Sequence, residues 1–247
     1  MLSVTVRGVV PSLLTLLAAL PVARAADPPG ADTQPDARML RYPDVSASEI
    51  AFVYADDIWL VPREGGVASP LASPAGPEQF PRFSPDGTRL AFMGNYEGNR
   101  DLYVLPVAGG IATRVTHHPA GEMLSDWTPD GKLLFSSTHM APLGGREPQI
   151  FTVSPEGGLP KRLPVPYGGN AALSPDGRWL AYTPVPFDFR TWKRYTGGTA
   201  MDIWLFDLKE KKSRKITDWI GTDSQPMWHG NTVYYLSDAG PSHLLQI

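Results

Sequence analysis

"FSPDGTRLAF", Phe83–Phe92, is the stretch whose reading decides the fold. Two variants follow it: "WTPDGKLLFS" from Trp127 and "LSPDGRWLAY" from Leu173. Each opens on an apolar residue, then Ser or Thr, then Pro-Asp-Gly. Proline presets φ for the first turn position, aspartate bonds back to the turn backbone, and glycine accepts positive φ. With apolar runs on both sides, each copy reads as a hairpin between two strands.

A longer unit surrounds each hairpin. A third strand comes after a variable gap: "DLYVLPV" from Asp101, "QIFTVSP" from Gln149 and "DIWLFDL" from Asp202. A tight turn, often Gly-Gly, leads to a short fourth strand such as "ATRVT" from Ala112 or "SRKIT" from Ser213. Weaker copies begin at Val45, with a shortened first turn, and at Trp228. From the third-strand markers Asp57, Asp101, Gln149 and Asp202 to the next hairpin (Ser84, Thr128, Ser174, His229) the separations are 27, 27, 25 and 27 residues. From hairpin to third strand they are 17, 21 and 28. One half of the unit is fixed and the other stretches.

Four antiparallel strands in a unit of about 44 residues make a β-propeller blade. The fixed half is the outer strands and the crossover into the next blade. The elastic half is the loop joining strands two and three. Because strand direction alternates, the Pro-Asp-Gly turns fall on one rim, and the stretching loops share the other rim with the crossovers. Variable loops on a rigid scaffold carry function. A β-sandwich of short strands would not repeat a motif at fixed phase. The fold class is therefore all-β, with about four and a half blades of a probable six. The next third strand would begin at Gln246, so the chain is expected to be a piece of a longer protein.

Composition narrows the function. A net charge of −3 gives no general attraction to nucleic acid or acidic lipid. There is no cysteine, which excludes thiol catalysis, disulfides and thiolate metal sites. Near the N-terminus Arg7, the run "VVPSLLTLLAAL" and "PVARA" have the layout of a secretory signal over 1–25. A flexible linker over 26–38 and an incomplete propeller over 39–247 complete the expected organisation. The expected location is exported and periplasmic, or cytoplasmic should the apolar run not be a signal.

The signatures G-x-S-x-G, H-E-x-x-H, G-x-x-x-x-G-K and G-x-G-x-x-G opening a helix are all missing. No catalytic residue, metal or cofactor is expected. Asp86, Asp130 and Asp176 are turn residues of the repeat, and Asp57, Asp101 and Asp202 are expected to bond neighbouring backbone. Phe83, Trp127, Trp228, Trp59, Tyr103, Phe151 and Trp204 recur in phase as packing between sheets. Arg114, Lys161, Arg162, Arg214 and Lys215 on strand four read as solvated edges. Two places escape this logic. His117 and His118 sit in the crossover "THHPAGEML" and are candidates for lining the loop rim. The longest stretching loop interleaves Phe189, Trp192 and Tyr195 with Arg190, Lys193 and Arg194. Arg190, Trp192, Lys193, Arg194 and Tyr195 suit a peptide backbone or carboxylate end, or simply pack on neighbouring loops with the cations in solvent.

At this loop the sequence resembles a known family. "FRTWKRYTGGTAMDIWLFDL", "NRDLYVLPVAGGIATRVTHHP" and "GKLLFSSTHMAPLGG" look like the matching segments of the first propeller of tricorn proteases, and the similarity covers about residues 39–247. Tol-system propellers and prolyl-oligopeptidase-type peptidases share the Pro-Asp-Gly repeat, so a protein-binding module and a different propeller peptidase remain alternatives. The tricorn resemblance implies a large serine peptidase that trims peptides to short oligopeptides. It implies further parts of the same polypeptide (a second propeller, a PDZ domain and a catalytic core), a homo-oligomer at full length, and a propeller that gates substrate or product. It also implies an arginine pair in the crossover before the third blade, where this chain has "HHPAGEML".

Overall fold

A computed structural model describes residues 39–72, 75–140, 147–184 and 196–239. They form five antiparallel sheets in chain order. The first blade is β1 (Arg41–Val45), β2 (Glu49–Tyr54), β3 (Asp57–Pro62) and β4 (Ser69–Ala72). The second is β5 (Glu78–Phe83), β6 (Arg89–Gly94), β7 (Asp101–Pro106) and β8 (Thr113–Arg114). The third is β9 (Glu122–Trp127), β10 (Leu133–Ser137), β11 (Gln149–Val153) and β12 (Lys161–Arg162). The fourth is β13 (Ala171–Leu173), β14 (Trp179–Tyr182), β15 (Trp204–Asp207) and β16 (Lys212–Lys215). β17 (Asp223–His229) and β18 (Thr232–Ser237) form a two-stranded fifth sheet. Every four-stranded sheet is a simple meander, and first strands of consecutive sheets touch one another. This is an arc of a β-propeller with β1, β5, β9, β13 and β17 on its inner side. No helix among the described residues is long and apolar enough to cross a membrane.

Period-two alternation builds the core, because successive strand side chains point to opposite faces. Leu90 and Phe92 of β6 face the first blade, while Ala91 and Met93 face the third. Leu133 and Phe135 of β10 face the second blade and Leu134 the fourth. Central strands are covered on both sides and so read as continuous apolar runs. Phe92 stacks on Tyr103, and Phe135 on Phe151, with ring centroids 5.7 and 5.5 Å apart. A fully buried phenylalanine contributes about 1.5–3 kcal/mol through removal of its surface from water.

Three details depart from the sequence reading. The third strand of the fourth blade starts at Trp204, leaving Asp202 outside the ladder. Asp101 and Asp202 bond cations rather than only nearby backbone: Asp101 pairs with Arg114 and Asp202 with Lys215, both at 2.8 Å. Two fourth-strand cations are therefore straps, Arg114 to the first residue of strand three and Lys215 to the segment just before it. The third blade's hairpin is one residue shorter than its sisters: the Thr128 N–H donates to the Lys132 carbonyl, whereas the Ser84 N–H donates to that of Arg89 and the Ser174 N–H to that of Trp179.

The inner strands hold a repeated irregularity. β1, β5 and β17 are each bulged against their neighbours, with Tyr42, Phe80 and Gln225 at φ of 51°, 53° and 51°. The next residue is proline each time: Pro43, Pro81 and Pro226. Proline has no N–H for a ladder and is tolerated on an edge strand or a bulge, and these strands are both.

Candidate functional site

The two rims differ in how their polar groups are used. On the hairpin rim, Ser84 donates to Asp86 at 2.5 Å and accepts the Arg89 N–H at 3.0 Å. Thr128 donates to Asp130 at 2.5 Å and accepts the Lys132 N–H at 2.9 Å. Ser174 donates to Asp176 at 2.5 Å and accepts the Trp179 N–H at 2.8 Å. The serine bonds hold the Asp86 carboxyl down at about 2 and the Asp176 carboxyl below its ordinary value, and Asp130 is lowered first by the Lys132 ammonium beside it and then by Thr128. Each aspartate is a turn fastener and not a free acid.

The opposite rim joins stretching loops to crossovers. Glu122 N–H donates to the Arg100 carbonyl at 3.1 Å, Gly168 to Pro148 at 2.9 Å and Asp223 to Met201 at 2.8 Å. A buried relay repeats beneath them. Leu102 N–H donates to the Thr116 hydroxyl at 2.9 Å, which donates to Glu122 at 3.1 Å. Ile203 N–H donates to Thr217 at 3.0 Å in the fourth blade. In the first, Ile58 N–H reaches Glu78 directly at 2.8 Å, and the Tyr96 hydroxyl donates to the same carboxylate at 2.5 Å. Burial pushes Glu122 up to about 7, helped by the charge of Asp101, and raises Glu78 as well.

His117 is exposed on this rim. His118 accepts the Ala120 N–H at its Nδ1, 3.0 Å away. Its ring lies 4.8 Å from that of His139, which stacks on Phe151 at 4.3 Å. Burial, with the charge of His118, lowers the His139 pKa. Among the described residues no group of three potential ligands could hold a metal. Arg190, Trp192, Lys193, Arg194 and Tyr195 lie outside the described residues.

A cleft of about 240 Å³ opens beside the histidines, lined by Arg100, Glu122, Ser136, Ser137, Thr138 and Pro148 among others. Arg100 lies along Gly121 at its mouth. Buried polar atoms without a hydrogen-bond partner also concentrate on this rim: Asn95 Oδ1, His139 Nδ1, Gln149 Oε1, Thr183 Oγ1, Asp202 Oδ1 and Asp223 Oδ1. Among the described residues the rim thus presents exposed rings and the Arg100 guanidinium above buried acceptors that lack a hydrogen-bond partner. The rim threonines were legible only as a Thr six residues before an acid, Thr116 to Glu122 and Thr217 to Asp223. His139 and Arg100 gave no sequence signal.

The family model described as "Tricorn protease N-terminal beta propeller domain" matches residues 37–245. The chain belongs to this tricorn propeller family. It is 34% identical over 210 residues to Tricorn protease homolog 1 of Streptomyces coelicolor, covering 83% of this chain and 19% of that protein. The crystal structure of the tricorn protease superposes with a TM-score of 0.71 at 25% identity, over 81% of this chain and 20% of that one. The putative TolB of Agrobacterium tumefaciens shares the fold, with a TM-score of 0.60 at 19% identity over 80% of this chain and 69% of that one. This tricorn propeller spans about one fifth of the length of the tricorn relatives it matches.

Proposed function

We infer that this chain is the non-catalytic propeller portion of an exported tricorn-like serine peptidase, and that its loop rim receives peptides on their way to or from the catalytic part. The contrast between the rims carries this reading. Hairpin-rim turns satisfy their own polar groups, whereas the loop rim presents exposed ring side chains and the Arg100 cleft. A peptide offers what such a rim can take: a carboxylate or carbonyl for the Arg100 guanidinium and side chains to pack on the exposed rings.

The experiment is peptide titration of the 247-residue chain followed by amide NMR. Shifts are expected at residues 95–100, 117–121, 138–140, 165–169 and 217–221. Perturbation confined to the hairpin-rim residues 84–88, 128–132 and 174–178 overturns the reading. Export is checked separately, by mass spectrometry of chain secreted from a bacterial host, where processing after Ala25 is the expected result.

A further inference from the structure

The crossovers that follow the second, third and fourth blades each bring a ring to the loop rim: His118, Tyr167 and Trp219. His118 and Trp219 hold the same place, two residues after the rim threonines Thr116 and Thr217. Tyr167 is 47% exposed and Trp219 41%. Trp219 differs in being fixed by a purpose-shaped support. Its Nε1 donates to Asp238 Oδ1 at 2.7 Å, and the same oxygen accepts the Thr222 N–H at 2.8 Å. Gly221 lies beneath them. A Cβ there would stand 2.3 Å from Asp238 Oδ1 and 2.5 Å from the indole nitrogen, so only glycine permits the arrangement. Ile220, in the same crossover, is 63% exposed.

We propose that Trp219 and Ile220 form a subsite for a large apolar side chain of a peptide lying on the loop rim. This rests on the peptide-handling reading above. The indole N–H is already engaged by Asp238, so the exposed ring has no polar demand left and offers apolar surface alone. A ring held in place loses little side-chain entropy on binding, which is why rigid aromatic anchors dominate recognition surfaces. The charge nearby opposes acidic ligands: Asp218 is exposed beside the ring, Asp238 lies behind it, and Lys215 is neutralised by Asp202 at 2.8 Å. The subsite therefore takes a phenylalanine or leucine side chain and rejects glutamate.

The test uses the full 247-residue chain and capped five-residue alanine peptides whose central residue is phenylalanine, leucine, alanine or glutamate. Affinities are read by NMR titration. The phenylalanine peptide is expected to bind about three- to tenfold more tightly than the all-alanine peptide. Trp219→Ala is expected to abolish that preference, Trp219→Phe to keep most of it, and Ile220→Asp, which leaves the indole and its Asp238 bond in place, to reduce it. Thermal unfolding of each variant guards against loss of fold. Equal binding of all four peptides, or a preference that survives Trp219→Ala and Ile220→Asp, overturns the subsite while leaving the peptide-handling reading intact. Absence of binding by every peptide overturns both.

Discussion

The indole Nε1 of Trp127 donates a 2.9 Å hydrogen bond to the main-chain carbonyl of Arg82, on the inner strand of the preceding blade. Trp228 repeats the contact with Ala172 at 3.1 Å. The other inner junctions use different chemistry for the same purpose. Asp44 accepts the Phe83 N–H at 2.7 Å, and the Ala171 N–H reaches Ser125 Oγ at 3.3 Å. Residues that read as packing aromatics thus also tie one blade to the next. Trp127→Phe keeps the apolar ring and removes the donor. The expected loss is about 1–2 kcal/mol in urea unfolding. Trp127→Leu also opens a cavity, and about 3 kcal/mol is expected. Equal stability of wild type and Trp127→Phe would show the bond to be idle.

The strand straps differ in burial, and their energies should follow. Asp101 is almost fully buried while its partner Arg114, which also reaches Glu97 at 2.8 Å, is a quarter exposed. Arg114→Ala leaves a carboxylate buried without its cation, and about 3 kcal/mol of destabilisation is expected. The Asp202–Lys215 pair is more open to solvent, so Lys215→Ala should cost below about 1 kcal/mol. Chemical denaturation of the two variants side by side tests the contrast.

Stability should also depend on pH through Glu122. A glutamate titrates near 4.5 in the unfolded chain, and burial raises Glu122 to about 7 in the folded one. The folded protein therefore holds this proton more tightly. Its stabilising effect is complete below pH 4.5 and disappears as pH rises through 7. Asp126, raised to about 6, acts in the same direction. Glu122→Gln can still accept the Thr116 hydroxyl but carries no charge. It should raise the melting temperature more at pH 8 than at pH 5, and an equal effect at both would contradict the assignment.

The hairpin rim should be separable from binding. Ser84→Ala removes a donor to Asp86 and an acceptor for the Arg89 N–H, with an expected cost of about 1–2 kcal/mol. Peptide affinity at the loop rim should be unchanged in the folded variant. A parallel fall in affinity would show that the two rims are coupled.

The sequence made the blades legible because each hairpin is encoded by adjacent residues, and its turn chemistry needs no distant partner. It made the rims legible because strand alternation assigns every loop to a side. It could not show that His118 and His139 meet, since 21 residues and a blade boundary separate them and nothing local requires the contact. Nor could it distinguish Arg114, a strap to buried Asp101, from Lys161, whose neighbour across the ladder is Thr152. The prolines at 43, 81 and 226 were a readable signal, a residue–proline step at one phase of the repeat, masked by the louder Pro-Asp-Gly.

Those prolines have a consequence for anything that moves along the inner side of the arc. An extended peptide binds an open sheet edge by adding itself as one more strand, using the edge's free N–H and C=O groups in register. Three of the inner edges interrupt that register with a bulge and a missing N–H. A peptide can touch the wall through its side chains, but it cannot zip on. The inner face is thus built to resist the addition of a further strand.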